Sequence, residues 1–151
     1  MPQSLAQAYL HFVFSTKGRQ PYFQDVAFSD ELYAYIAGIC KNQDSFARLV
    51  GGHVDHVHIL CSLSRQKTMA DLVRNLKTNS SIWIKTRKPN FVGFHWQDGY
   101  GVFSVSQSQV ENVEKYIANQ REHHKTMTFQ EEYLMWVKEY KIAFDERYVW
   151  E

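Results

Sequence analysis

An α+β domain is what this sequence predicts: an antiparallel sheet built in the order β-α-β-β-α-β, with further helix after it. Three observations predict it. Two segments repeat apolar residues at helical spacing, four segments read as strands, and each helix is preceded by a strand. The chain has 151 residues, of which 44% are hydrophobic and 22% charged. That suits one domain with its own core and excludes disordered and fibrous classes.

The elements follow in order. Ala8 to Ser15 is an almost unbroken aromatic and aliphatic run, as in a central strand. Lys17-Gly18-Arg19-Gln20-Pro21 breaks it. From Ser29 to Lys41, Leu32, Tyr35, Ile36, Ile39 and Cys40 recur at i, i+3, i+4, i+7 and i+8, an amphipathic helix. Phe46 to Gly51 reads as a second strand, with Gly51-Gly52 supplying the turn. His56 to Leu63 alternates cleanly: Val57, Ile59, Cys61 and Leu63 share one face, and His56, His58, Leu60 and Ser62 the other. Met69 to Lys85 is the second helix, ended by Pro89. Phe94 to Ser106 is the fourth strand, interrupted near Asp98-Gly99. Ser108 to Glu111 has the capping-box pattern that opens a third helix through about His123, and a short helix from Phe129 to Tyr140 precedes the tail. The first six elements have the ferredoxin-like order, with both helices on one face of the sheet. In that arrangement Val57 and Ile59 pack under the helices, and His56 and His58 point out of the open face. Residues 1–125 are expected to form the main domain, with 126–151 as a helix and tail packed on it.

Several classes are excluded. No apolar run approaches the ~20 residues of a membrane span. Met1 to Gln7 lacks an export-leader pattern. Cys40 and Cys61 are too few for a disulfide scaffold, so a reducing, cytoplasmic setting is expected. The formal charge is only +1, but it is unevenly spread. Between Arg65 and Lys88 seven basic residues face one acid, Asp71, whereas from Gln109 onward nine acids face six basic residues. A basic middle of this kind fits contact with a polyanion on one side, and equally a solvated helix face. Arg74, Lys77, Lys85, Arg87 and Lys88 are the candidates for such a contact.

Two patterns carry chemistry. His56 and His58, two apart on a strand, lie about 6.5–7 Å apart at the backbone and on one side. Their imidazoles can converge on one divalent ion, although half-exposed histidines on an amphipathic strand give the same pattern. Asp55 can orient one of them from the strand end or simply close a turn. Tyr116 and Gln120, four apart, share a face of the third helix beside Val113 and Ile117. A glutamine there needs a partner for its amide, and a metal ion is one such partner. Tyr116 by itself also fits ordinary packing. His11, His95, His123 and His124 lie in no constellation and read as packing or surface.

Together, Val54-Asp55-His56-Val57-His58-Ile59-Leu60 and Tyr116-Ile117-Ala118-Asn119-Gln120 resemble the single-tyrosine HUH transposases of bacterial insertion sequences. These are the transposases of the IS-two-hundred type and the REP-associated tyrosine transposases. Trp96 to Val105 resembles the strand that precedes the tyrosine helix in that family. The resemblance implies a ferredoxin-like fold with a tyrosine-bearing helix. It also implies a DNA transposase that cleaves and rejoins single strands carrying hairpins at element ends through a 5′-phosphotyrosine. Tyr116 is then the nucleophile, and His56, His58 and Gln120 are the metal ligands. Mg²⁺ is expected, with Mn²⁺ substituting. No nucleotide cofactor is needed, because the phosphotyrosine conserves the bond energy. A homodimer is expected, with Tyr116 acting either in cis or in trans. A histidine-triad nucleotide hydrolase does not fit, because Val54 stands where its first histidine belongs. The stronger rival is a ferredoxin-like nucleic-acid-binding module that does no chemistry.

Overall fold

Four antiparallel strands in the order β2-β3-β1-β4 organise the computed structural model, which describes residues 3–151. The first two residues of the Met1–Gln7 stretch lie outside the described residues. The strands are β1 Tyr9–Ser15, β2 Ala47–His53, β3 His56–Ser62 and β4 Gly101–Val105. Helices α1 Val26–Asn42 and α2 Met69–Arg87 cover one face. Phe12, Phe14, Val57 and Ile59 meet Leu32, Ile36, Leu72, Leu76 and Ile84 there in the main core. This is the ferredoxin-like arrangement.

The sheet's other face is not open. Helices α3 Val110–Ala118, α4 Gln120–His123 and α5 Phe129–Glu139 lie against it. Val110 and Ile117 pack on Leu60, while Phe129 and Tyr133 pack on Val13 and Phe103. His56 and His58 are therefore fully buried, not displayed to solvent. Coverage of both faces also explains why β1 is apolar at nearly every position.

Four boundaries differ from the sequence expectation, each for a local reason. Helix α1 starts three residues early because the Asp25 carboxylate accepts from the backbone of Ala27 (3.0 Å) and Phe28 (3.3 Å). Gly51 and Gly52 lie inside β2, and the turn falls on Val54-Asp55. β4 is confined to Gly101–Val105. The preceding stretch is instead held by a lone Thr16–Trp96 bridge, by Gln97 Oε1 accepting from Ser15 N (2.8 Å), and by Lys77. Finally, no capping box opens α3: a 3₁₀ turn at Gln107–Gln109 precedes it, and the Ser108 hydroxyl faces that of Ser106 at 3.2 Å. The helix also loses its regularity at Asn119, between Tyr116 and Gln120.

Gly51 sets how closely α3 approaches the sheet. A Cβ there would lie 2.9 Å from Ile117 Cγ2 and 3.0 Å from the Ile117 carbonyl oxygen. The second contact is with backbone, so the helix itself must move. Gly51→Ala is expected to cost about 1–3 kcal/mol by overpacking, read as a fall in melting temperature, and to displace the helix bearing Tyr116. An unchanged melting temperature would show that α3 is not seated this tightly.

Candidate active site

Strand β3 points His56 and His58 to the same side, with ring centroids 5.0 Å apart in an edge-on arrangement. Each ring is anchored through Nδ1. His56 Nδ1 lies 2.8 Å from Asp55 Oδ1, and Asp55 is itself fixed by the hydrogen bond from Thr16 N to its carbonyl (2.8 Å). His58 Nδ1 lies 2.7 Å from Nε2 of His11, and the two rings stack. Both Nε2 atoms are thereby aimed away from the sheet, toward the covering helices. Burial lowers the pKa of His11 well below its ordinary value and lowers that of His58 as well.

Helices α3 and α4 bring Tyr116 and Gln120 over this pair. Gln120 is buried, with Oε1 2.9 Å from His56 Nε2 and 2.9 Å from His124 Nε2. Tyr116 is half-buried and lines a surface cleft with Asn112, Lys115, Asn119 and His123. Its hydroxyl donates to Glu132 Oε2, accepts from Trp136 Nε1 at 3.3 Å, and lies 3.3 Å from His123 Nε2. Its ring stands edge-on to His58, with centroids 5.8 Å apart.

Glu132 ties the site together. It has no exposed surface, yet its carboxylate meets His58 Nε2 (2.9 Å), Gln120 Nε2 (3.0 Å) and the Tyr116 hydroxyl. Burial alone would raise its pKa, but the charge of His58 and the hydrogen bonds from His124 and His58 outweigh that and hold it far below the usual range. Burial, reinforced by this carboxylate's charge, pushes the Tyr116 phenol well above its ordinary value. The residues fit a divalent cation: two anchored imidazoles on one side of the strand, with the Gln120 amide oxygen 2.9 Å from Nε2 of His56, are donors of the kind such ions take.

His56, His58, Tyr116 and Gln120 are thus brought together. His11, His123 and His124, expected to be packing or surface, border the same site, while His95 is exposed. A carboxylate, which the chemistry did not require, sits at its centre. Glu132 and His11 each left a trace in the sequence. Glu132 interrupts the apolar stripe Phe129, Tyr133, Trp136, Val137, and His11 interrupts an otherwise apolar strand.

The basic residues of α2 are not at this site, because α2 covers the sheet's opposite face. Arg74 pairs with Asp71, Arg87 with Glu31 (2.6 Å) and Lys88 with Asp25 (3.7 Å). Lys85 is half-buried. Lys77 is a staple: its ammonium donates to the carbonyls of Gln97 (2.7 Å), Asp98 (3.1 Å) and Gly99 (2.7 Å), and burial pushes its pKa down to about 8.

Comparison with known proteins bears on this arrangement. The family described as "Transposase IS200 like" matches residues 4–120. No curated protein matched the chain. Among solved structures, a protein from Deinococcus radiodurans R1, provisionally described as a transposase, superposes with a TM-score of 0.61 at 23% identity, covering 80% of this chain and 95% of that one. A REP-associated tyrosine transposase bound to a REP hairpin superposes with a TM-score of 0.58 at 12% identity, covering 82% of this chain and 73% of that one.

Proposed function

This chain belongs to the IS200-like transposase family, and from that premise we propose that it cuts and rejoins single-stranded DNA at hairpin-bearing element ends, in the cytoplasm, with Tyr116 as nucleophile. The observation that carries the reading is the meeting of the Tyr116 phenol, His56, His58 and Gln120 at one point, although they come from a strand and two helices.

The reaction is a substitution at phosphorus. The Tyr116 oxygen forms a bond to the phosphate as the bond to the 3′-oxygen breaks, leaving a 5′-phosphotyrosine and a free 3′-hydroxyl. Attack by a 3′-hydroxyl on the phosphotyrosine reverses the step and joins strands without a nucleotide cofactor. His56, His58 and Gln120 would hold a divalent ion, Mg²⁺ or Mn²⁺, which when bound supplies positive charge to polarise the phosphate and stabilise the leaving oxygen. Asp55 and His11 keep the two imidazoles turned toward it through Nδ1. The Tyr116 hydroxyl is oriented between Glu132 and Trp136. Its raised pKa makes it a poor nucleophile until cationic charge enters the site.

Tyr116 stands beside histidines of its own chain, which supports action in cis. Assembly as a homodimer belongs to the same reading. DNA contact by Arg74, Lys85, Arg87 and Lys88 would fall across the sheet from Tyr116. Replacing Arg74 and Lys85 by alanine is expected to weaken binding and to reduce the salt slope of log affinity by about 1–2. Lys77 is left out of this test because its removal would release the Gln97–Gly99 segment. An unchanged slope would take α2 out of the interface.

The experiment that tests the function is incubation of the chain with labelled single-stranded element ends and Mn²⁺, followed by a denaturing gel. A covalent protein–DNA band that requires the divalent ion supports it. Tight binding with no such band on any cognate end supports a module that binds DNA without cutting it.

A further inference from the structure

We infer that this chain holds its divalent ion with His124 and Glu132 as well as His56 and His58, so that metal binding fastens the C-terminal helix α5 onto the active site. This rests on the reading above that the site takes a divalent ion. It adds two ligands from beyond residue 120, where the family match ends.

Four observations support it. The first is proximity: one ligand atom from each of His56, His58, His124 and Glu132 lies within 4.8 Å of all the others. Ligand atoms about 2.1 Å from a shared ion stand roughly 3–4.2 Å apart, so a small closing movement is enough.

The second is orientation. All three imidazoles turn Nε2 toward the centre and are braced through Nδ1. The braces are Asp55 Oδ1 at 2.8 Å, His11 Nε2 at 2.7 Å and the Met127 carbonyl at 2.6 Å. Histidines that ligate metals are held in this way.

The third is the crowding of donor atoms. His124 Nε2 lies 2.9 Å from Gln120 Oε1 and 3.3 Å from Glu132 Oε2. His56 Nε2 lies 2.9 Å from the same Gln120 Oε1 and 3.5 Å from Glu132 Oε1. Ring nitrogens, an amide oxygen and a carboxylate thus face one centre, the mixed nitrogen and oxygen set that a divalent ion takes.

The fourth is the placement of Glu132. A reciprocal capping box between Thr128 and Glu131 fixes the start of α5, and Phe129 and Tyr133 seat it on Val13 and Phe103. The carboxylate is thereby driven to zero exposure between two aromatic anchors. A buried carboxylate is costly without positive charge beside it.

Three imidazoles with a carboxylate form a nitrogen-rich set, which prefers Mn²⁺ to Mg²⁺. The test uses the full-length chain without DNA. Mn²⁺ affinity is measured by calorimetry for the wild type, Glu132→Gln, His124→Ala and His58→Asn. The expected result is one ion per wild-type chain, affinity roughly ten- to a hundredfold weaker in Glu132→Gln and in His124→Ala, and none measurable in His58→Asn. A second measurement needs only the wild type: Mn²⁺ is expected to slow tryptic cleavage at Lys125 and Lys138 at least tenfold. Wild-type affinity in both Glu132→Gln and His124→Ala, with binding lost in His58→Asn, would overturn the inference and leave the proposed function standing. Unchanged proteolysis in a wild-type chain shown to bind Mn²⁺ would overturn it likewise. A wild-type chain that binds no divalent ion would overturn both.

Discussion

Tyr116→Phe is expected to give no covalent protein–DNA adduct on a cognate single strand, while its affinity for that strand changes less than threefold. The change removes one oxygen, the only atom that the proposed reaction joins to phosphorus. It leaves the ring in place, edge-on to His58 and His11. The fold loses little. Glu132 Oε2 keeps its bond from Gln120 Nε2, and Trp136 Nε1 loses one 3.3 Å contact. A net cost of about 1 kcal/mol is expected. A merely structural tyrosine would instead leave the adduct yield intact.

His58→Asn is expected to reduce divalent-dependent strand cleavage on the order of a hundredfold or more, since loss even of groups that only brace ligands costs about 10–100-fold. It removes the Nε2 aimed at the centre, and it leaves His11 Nε2 and Glu132 Oε1 short of a partner inside the domain. Unpaired buried groups cost about 1–3 kcal/mol, so thermal melting must accompany the assay. His56→Asn is expected to act in the same direction with a different structural burden, because Asp55 is one-fifth exposed and regains water. Activity that survives in both folded variants would mean that the imidazole pair does not hold the ion.

Much of this site could be read from the chain alone because its first parts are periodic. The two-residue repeat of β3 put His56 and His58 on one face, and the helical repeat put Tyr116 and Gln120 on one side despite the irregular Asn119. Spacing also identified the apolar face of β3 that packs under α1 and α2. What was not legible depends on contacts distant in sequence. His11 meets His58 only through the register of β1 on β3, in which Val13 pairs with His58. Glu132 arrives from a helix 74 residues beyond His58. Gly51 and Gly52 resembled a turn, and only the close approach of Ile117 explains the first of them. The capping-box letters at Ser108 to Glu111 were misleading, because the 3₁₀ turn placed Ser108 before the helix and not at its cap. The apolar run of β1 was a signal that both faces of the sheet are covered, and the expectation of an open histidine face overlooked it.

Peptide mapping of the DNA-linked protein by mass spectrometry tests the central claim most directly. After reaction of the wild-type chain with a cognate single strand and Mn²⁺, followed by nuclease and trypsin, the account predicts a nucleotide mass attached through a 5′-phosphate to Tyr116 alone. Attachment to any other residue, or a cleaved strand with no protein-linked nucleotide at any stage, would contradict it.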